Sequence, residues 1–501
     1  MRTASWASAN PVWTKTCQIG CIALVAYFAS WGSVPAPLVR AETTAETAEP
    51  KPRFPAEVSR QLAALEQWVR KKGGRLSAHL IDMQSGAELG SGERLALNPA
   101  SNMKVLTAAY ALEQLGASHS FHTGLYGDIR DGVAQLLVLR GNGDPSLTEA
   151  ALWRLANSLA NRGLRRVDRL LVDQSRFDGE FIPPAFEQQP DEWAAFRAPI
   201  SAIALERNSV VLNVLPTRAG QPARVWFEPN GAVQVQGRIE TVASGRGQNV
   251  QLQLQGDPSG TLIGRVGGRI AAGLGRQRYP KRMDDPRLVP GLVLAELLRQ
   301  RDIEVAEVAL GGQEAQNRLT YHGSAPLTEL LPQLGKYSDN FYAEMLFKAF
   351  SQRDSEAPAS SQRSAELVLQ WLRQLGAADE ETRVINGSGL FDANRLSALT
   401  LTRVLRHAYH HPKTRAEMVS HLAIGGVDGT LRSRFSKLAS TGQVRAKTGT
   451  LRDSITLSGY FLRDNGQAPI AFSLLVNGIE GQHGNVRARL DRVVESLAQL
   501  G

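Results

Sequence analysis

The chain has 501 residues, of which 43% are apolar and 21% charged, the balance of a folded globular protein rather than a disordered one. Its length allows two or three domains and a core that needs no staple. The net charge of +9 comes from dispersed arginines, with no basic run interleaved with aromatics, so no nucleic-acid partner is expected.

Arg2 and Lys15 precede an apolar run at 19–31, and small residues and prolines follow as far as Ala41. That is the charged, apolar, small-residue order of a secretory signal. The run falls short of the ~20 residues of a comfortable membrane span. A signal peptide is therefore expected at 1–41 and a Thr/Ala/Glu/Pro linker at 42–53. Retention as an uncleaved anchor is the alternative, and lipidation of Cys21 is disfavoured because Cys21 opens the run. The only two cysteines, Cys17 and Cys21, lie in this segment. The rest of the chain thus has no disulfide, thiol nucleophile or cysteine zinc site.

Val58, Leu62, Leu65 and Val69 recur at helical spacing and predict a helix over 55–72. Residues 75–83 read as a strand closed by the turn Gln84-Ser85-Gly86, and 101–115 as a helix stopped by Gly116. From 122 to 310 short alternating runs dominate: 134–139, 169–172, 210–214, 224–227, 233–239 and 250–254. Gly, Pro, Asn and Asp separate them, so this stretch is expected to be β-rich. Helical pattern returns at 292–300 and dominates 326–422. Strands are expected at 444–447, 454–462 and 470–476, with a hairpin signal at Asp464-Asn465-Gly466. A last helix is expected over 486–500.

Three short motifs carry chemistry. Ser101-Asn102-Met103-Lys104 opens a helix, so Ser101 and Lys104 share one side of it. A serine hydroxyl needs a base to become a nucleophile. A lysine serves if burial or a neighbouring cation lowers its pKa from ~10.4. Ser338-Asp339-Asn340 lies between helical runs, where Ser338 can pass a proton and Asn340 can hold a substrate amide and the Lys104 ammonium. Lys447-Thr448-Gly449-Thr450 lies on a strand near the C-terminus. Lys447 supplies a cation, Thr448 and Thr450 supply hydroxyls, and Gly449 leaves room for substrate. Each motif alone has a plain reading as an N-cap, a helix–helix turn or a strand end. Together, and in this order, they form the set known from penicillin-binding proteins and class A β-lactamases. Because most of the chain between Ser101 and Ser338 is the β-rich stretch, the catalytic domain is expected to be split by an insertion. The expected boundaries are 54–121 and 313–501 for its two parts and 122–312 for one or two inserted β-rich domains.

Further segments extend the likeness: Gly141-Asn142-Gly143-Asp144-Pro145, Val172-Asp173-Gln174-Ser175-Arg176-Phe177, Gly387-Ser388-Gly389-Leu390, Gly426-Val427-Asp428-Gly429-Thr430-Leu431 and Ala471-Phe472-Ser473-Leu474-Leu475-Val476-Asn477-Gly478. With them, nearly all the chain beyond residue 55 resembles the D-Ala-D-Ala carboxypeptidase/endopeptidases known as class C low-molecular-mass penicillin-binding proteins (peptidase family S13, DacB-like). The resemblance implies an α/β (α+β) transpeptidase/β-lactamase-like catalytic domain, with helices on both faces of an antiparallel sheet. It implies a periplasmic serine carboxypeptidase acting on peptidoglycan stem peptides, with DD-endopeptidase activity on cross-links as a companion. β-Lactams would acylate Ser101. Lys104 would be the base, Ser338 the relay to the leaving D-alanine and Asn340 the orienter of substrate. Lys447, Thr448 and Thr450 would bind the terminal carboxylate, and the N–H groups of Ser101 and Thr450 would form the oxyanion hole. Asp173 and Phe177 would line the substrate pocket. Two positions depart from the family pattern: Asn386 stands where Asp is frequent, and Phe391-Asp392 where Ser-Arg is frequent. Asp392 thereby places an acid where a cation is expected to meet the stem-peptide side chain.

No cofactor or metal is expected. His407, His410 and His411 read as a helix C-terminus, since no carboxylate is patterned with them. The basic stretch 162–166 reads as a solvated helix end. Peripheral membrane association suits the positive charge. Two other functions use the same motifs: a β-lactamase or esterase, disfavoured because no dedicated deacylating Glu is found, and a non-catalytic penicillin-sensing wall-binding module, disfavoured because every acylating side chain is present.

Overall fold

A computed structural model describes residues 54–500 apart from 191, 246, 257–260, 313–314, 353–355, 437–441 and 465. The expected signal segment, the linker, both cysteines and Asn465 of the hairpin turn lie outside the described residues.

Six antiparallel strands form one sheet in the order Ala423–Ile424, Val444–Leu451, Ser454–Phe461, Ile470–Asn477, Arg75–Asp82 and Glu88–Ser91. Every residue of Ser454–Phe461 and Ile470–Asn477 is buried. A strand closed on both faces needs cover on both. The amphipathic helices Ala56–Lys71 and His483–Glu495 cover one face with Val58, Leu62, Leu65, Val486 and Leu490. On the other lie the helices Met103–Gln114, Asn340–Ala349 and Ala398–His410, whose apolar residues share one cluster. All ten residues from Met103 to Leu112 are buried, so this helix runs through the centre of its layer rather than along a surface. Gly116, at φ 85°, ends it.

Between residues 122 and 323 the chain builds three further sheets. The largest has the order Glu304–Leu310, Arg166–Asp173, Val133–Gly141, His122–Gly127 and Arg318–Gly323, with its first three strands parallel. Parallel neighbours need crossovers, and here these include the helices Glu149–Asn161 and Val289–Arg299. The first of these helices was missed in the sequence, although Ala151, Leu152, Leu155, Ala156 and Leu159 line its buried face and Thr148 caps it. The strand Arg318–Gly323, placed by sequence in the second catalytic part, pairs instead with His122–Gly127. Among the described residues no helix is long and apolar enough to cross a membrane.

Candidate active site

Ser101 lies in a short 3-10 turn, Ala100–Asn102, that leads directly into the helix Met103–Gln114. The helix expected from residue 101 thus begins two residues later. The tighter turn rests on Ala100 at φ 46°, a left-handed conformation costly for a residue with a Cβ. Three contacts hold it: Asn98 Oδ1 accepts from Ala100 N (2.9 Å), Thr456 Oγ1 donates to Pro99 O (2.9 Å), and Gly389 lies so close that a Cβ there would sit 1.8 Å from Ala100 O. Such strain concentrates at functional sites.

Lys104 is 1% exposed. Its Nζ lies 3.1 Å from Ser101 Oγ, 2.8 Å from Asn340 Oδ1 and 2.7 Å from Ser388 O. Burial disfavours the ammonium and pulls the pKa down to about 7, against the opposing pull of Glu344 and Asp339. Lys447, fully buried, donates to Ser338 Oγ (2.8 Å) and Thr448 O (2.6 Å). Burial and then the charge of Lys104 hold its pKa well below the ordinary value. Ser338 is a non-glycine residue at φ 60°. Asp339 caps the helix Asn340–Ala349 by accepting from Tyr342 N (3.1 Å), which sets Asn340 at the first turn facing Lys104.

Asn102 fastens the nucleophile turn to the sheet. With its amide oxygen turned to Ser458, it accepts from Ser458 Oγ (2.6 Å) and Leu457 N (3.2 Å) and donates to Lys447 O (2.9 Å). Gly449 sits against the same turn, where a Cβ would lie 2.1 Å from Thr456 Oγ1 and 3.1 Å from Ser101 N. Only glycine permits that approach. Thr448 Oγ1 donates to Thr430 Oγ1 (2.9 Å), and exposed Thr450 accepts from Arg487 (3.2 Å). The short strand Ala423–Ile424 pairs only with Arg445 and Ala446, so no strand of the sheet covers the outer edge of Lys447–Leu451.

The three motifs therefore meet. Asp173 and Phe177 do not join them. The Asp173 carboxylate is taken by Arg140 (2.7 Å) and by Ser175 Oγ and N (2.5 and 3.0 Å), and the buried Phe177 ring packs in the apolar cluster under Lys348. Among the described residues these contacts are those of structural support. Asp392 sits four residues beyond Ser388 and binds Arg395 (2.6 Å) and Asn98 Nδ2 (3.2 Å), with Arg395 first among the causes that hold its pKa below the ordinary carboxylate value. The substituted acid thus carries its own counter-charge. His407 pairs with Glu113 (2.7 Å).

Glu344 went unrecognised in the sequence, and Asn386 was read only as a departure from the family pattern. Glu344 is a lone acid in the apolar run Phe341–Phe347, and that isolation was the available signal. Asn386 Nδ2 donates to Pro184 O (3.0 Å) and Leu390 O (3.2 Å), and its Oδ1 accepts from Gly389 N (3.0 Å) and Asn394 Nδ2 (2.8 Å). A carboxylate has no donor for the two carbonyls. Asn386→Asp is therefore expected to cost about 1–3 kcal/mol of stability, read as a lowered denaturant midpoint at neutral pH. An unchanged midpoint would contradict this account of the amide.

The family model described as "D-Ala-D-Ala carboxypeptidase 3 (S13) family" matches residues 62–499. The D-alanyl-D-alanine carboxypeptidase of Actinomadura sp. (strain R39) is 33% identical over 428 residues, covering 80% of this chain and 77% of that protein. The D-alanyl-D-alanine carboxypeptidase DacB of Haemophilus influenzae is 27% identical over 392 residues, covering 76% and 80%. The crystal structure of penicillin binding protein 4 (dacB) from Haemophilus influenzae shares the fold, with a TM-score of 0.73 at 24% identity, over 88% of this chain and 98% of that one.

Proposed function

The chain belongs to the D-Ala-D-Ala carboxypeptidase 3 (S13) family, and from that premise we propose that Ser101 is the nucleophile and Lys104 the base of a serine D-alanyl-D-alanine carboxypeptidase acting on peptidoglycan stem peptides. One observation carries these roles: Lys104 Nζ lies 3.1 Å from Ser101 Oγ while Asn340 Oδ1 and Ser388 O hold it from other sides. A neutral amine has two N–H bonds and one lone pair. With both N–H groups given to those acceptors, the lone pair faces the serine hydroxyl and can take its proton as the oxygen attacks the D-Ala carbonyl. The N–H groups of Ser101 and Thr450 bind the developing oxyanion, a contribution of ~2.7–4 kcal/mol per donor. The proton reaches the departing D-alanine nitrogen through Ser338, which Lys447 orients. Water then adds to the acyl-enzyme and frees Ser101.

The terminal carboxylate of the substrate belongs beside Lys447, Thr448 and Thr450. Its negative charge there favours the Lys447 ammonium, against the burial that opposes it. Asp392 marks the far end of the stem-peptide pocket, where its pair with Arg395 offers both an acceptor and a donor to a polar side chain. The region 122–312 reads as one or two inserted domains, a view supported by its three separate sheets, whose largest also takes in the strand Arg318–Gly323. Export to the periplasm by the segment 1–41 fits a wall substrate, and the net positive charge of +9 fits peripheral contact with an anionic envelope.

Purified enzyme is expected to release D-alanine from a peptide ending in D-Ala-D-Ala. Because the base works only when neutral, kcat/KM should rise with pH through a midpoint near 7 and fall away in acid. A profile flat across that range, or absent release, would overturn the assignment of Lys104 or of the activity. The same acyl-enzyme chemistry extends to D-alanyl cross-links, and mass spectrometry of digested muropeptides separates loss of terminal D-Ala from loss of cross-links. A β-lactamase reading needs a carboxylate free to activate water. Glu344, buried near Lys104, has both oxygens committed to backbone N–H groups.

A further inference from the structure

Helix Asn340–Ala349 carries, one turn after Asn340, a second polar side chain turned inward. Glu344 is 1% exposed. Its Oε1 accepts from Ser388 N (2.8 Å) and its Oε2 from Gly387 N (3.1 Å). No basic side chain within 4 Å pairs with it among the described residues, so its bonds are those of an acceptor only. The segment it grips ends in the Ser388 carbonyl, which accepts from Lys104 Nζ at 2.7 Å. Around that carbonyl the clamp is complete: Thr107 Oγ1 donates to Gly387 O (2.7 Å), and Asn386 Oδ1 accepts from Gly389 N (3.0 Å). Gly387 packs so tightly on the same helix that a Cβ would lie 2.4 Å from Phe347 Cβ.

We propose that Glu344 is a positioning residue for the reaction: by holding Gly387-Ser388 it fixes the Ser388 carbonyl, and so aims the Lys104 amine at Ser101. The inference rests on the assignment of Lys104 as base. One helix thereby sets both acceptors that leave a single direction for the amine's lone pair, Asn340 by direct contact and Glu344 through the backbone. A carboxylate suits the post, because each of its oxygens faces an N–H donor; a glutamine would turn an NH2 toward one of them. Burial raises the Glu344 pKa above the ordinary carboxylate value, and in its ionised form its charge has a second effect. The charged groups facing Lys104 are Glu344 and Asp339, which favour the ammonium, and Lys447, which opposes it. Loss of the Glu344 charge therefore leaves Lys104 easier to deprotonate.

The test is the second-order rate of acylation by a fluorescent penicillin across pH, for the full chain and for Glu344→Gln, Glu344→Asp and Ser101→Ala. Glu344→Gln is expected to lower the alkaline plateau by about 10- to 100-fold through misalignment of the base and to move the midpoint to lower pH. Glu344→Asp keeps the charge but shortens the reach, so its plateau should fall while its midpoint stays with the parent. A folded Glu344→Gln protein with the parent's plateau and midpoint would overturn the proposal. So would an equal loss at every pH with the midpoint unmoved, the mark of a merely structural residue. If Glu344→Gln does not fold, an Asp variant with the parent's plateau overturns it and one with a lowered plateau supports it. Failure of the parent to label, or labelling of Ser101→Ala, would sink the Ser101 and Lys104 roles themselves, and this inference with them.

Discussion

Ser101→Ala is expected to abolish covalent labelling by penicillin and to reduce D-alanine release by about a million-fold, the scale seen when the nucleophile of a serine hydrolase is removed. The reason is local. Ser101 Oγ lies 3.1 Å from Lys104 Nζ, whereas Ser338, the neighbouring motif hydroxyl, is 2.8 Å from Lys447. Ser338 also sits on a left-handed backbone fixed by the turn before the helix Asn340–Ala349. The variant should stay folded, because Asn102 and Pro99, rather than the Ser101 side chain, fasten the turn to the sheet. Intact protein mass after incubation with penicillin reads the result directly. An adduct of unchanged stoichiometry on the folded variant would remove Ser101 from the mechanism.

Lys104→Met is expected to slow acylation by about 10²- to 10⁴-fold, the range a positioned general base supplies, while Ser101 remains in place. Methionine reproduces the unbranched stem of lysine as far as Cε but has no amine to accept the proton. It also strands Asn340 Oδ1 and Ser388 O, two acceptors that Lys104 satisfies at 2.8 and 2.7 Å. Each buried group left unpaired costs about 1–3 kcal/mol. Against this, the variant no longer buries an amine whose pKa has been driven to about 7. Because the folded-state pKa lies below the unfolded one, the stability penalty of burying Lys104 is full below about pH 7. It fades only as pH rises toward the ordinary lysine value. Stopped-flow labelling reads the rate and a pH series of melting temperatures reads the penalty. The residual acylation of Lys104→Met should lose the midpoint near pH 7. Persistence of that midpoint would assign it to another group.

Much of the catalytic site was legible because its parts are short and local. Ser101 and Lys104 are three apart at a helix start, so one turn of helix brings them together whatever the rest of the chain does. The strands expected at 454–462 and 470–476 likewise follow from residue type, whereas their burial on both faces comes from the helices that cover the sheet. The helix Glu149–Asn161 has an equally regular apolar spacing, but it lies inside a region where turn residues and short alternating runs dominate the pattern. The strand Arg318–Gly323 could not be assigned, because a strand's partner is chosen by the sheet that completes it and not by its own residues. The partners of Asp173 and Phe177 were illegible for a related reason: a side chain takes whatever partner the fold brings beside it, here Arg140 for Asp173 and the apolar core for Phe177.

By itself the sequence determined the chemistry available to this protein: one hydroxyl and one amine on a shared helix turn, a relay serine, a cation on a strand and a glycine beside it. The tertiary structure decided what that chemistry becomes. Burial of its helix in the layer packed on the sheet lowers the Lys104 pKa to about 7, and the left-handed backbones of Ala100 and Ser338 aim their neighbours. Glu344 acquires its grip on the 387–388 backbone only through folding. Desolvation, lone-pair direction and backbone strain depend on atoms remote along the chain, so no window of residues contains them.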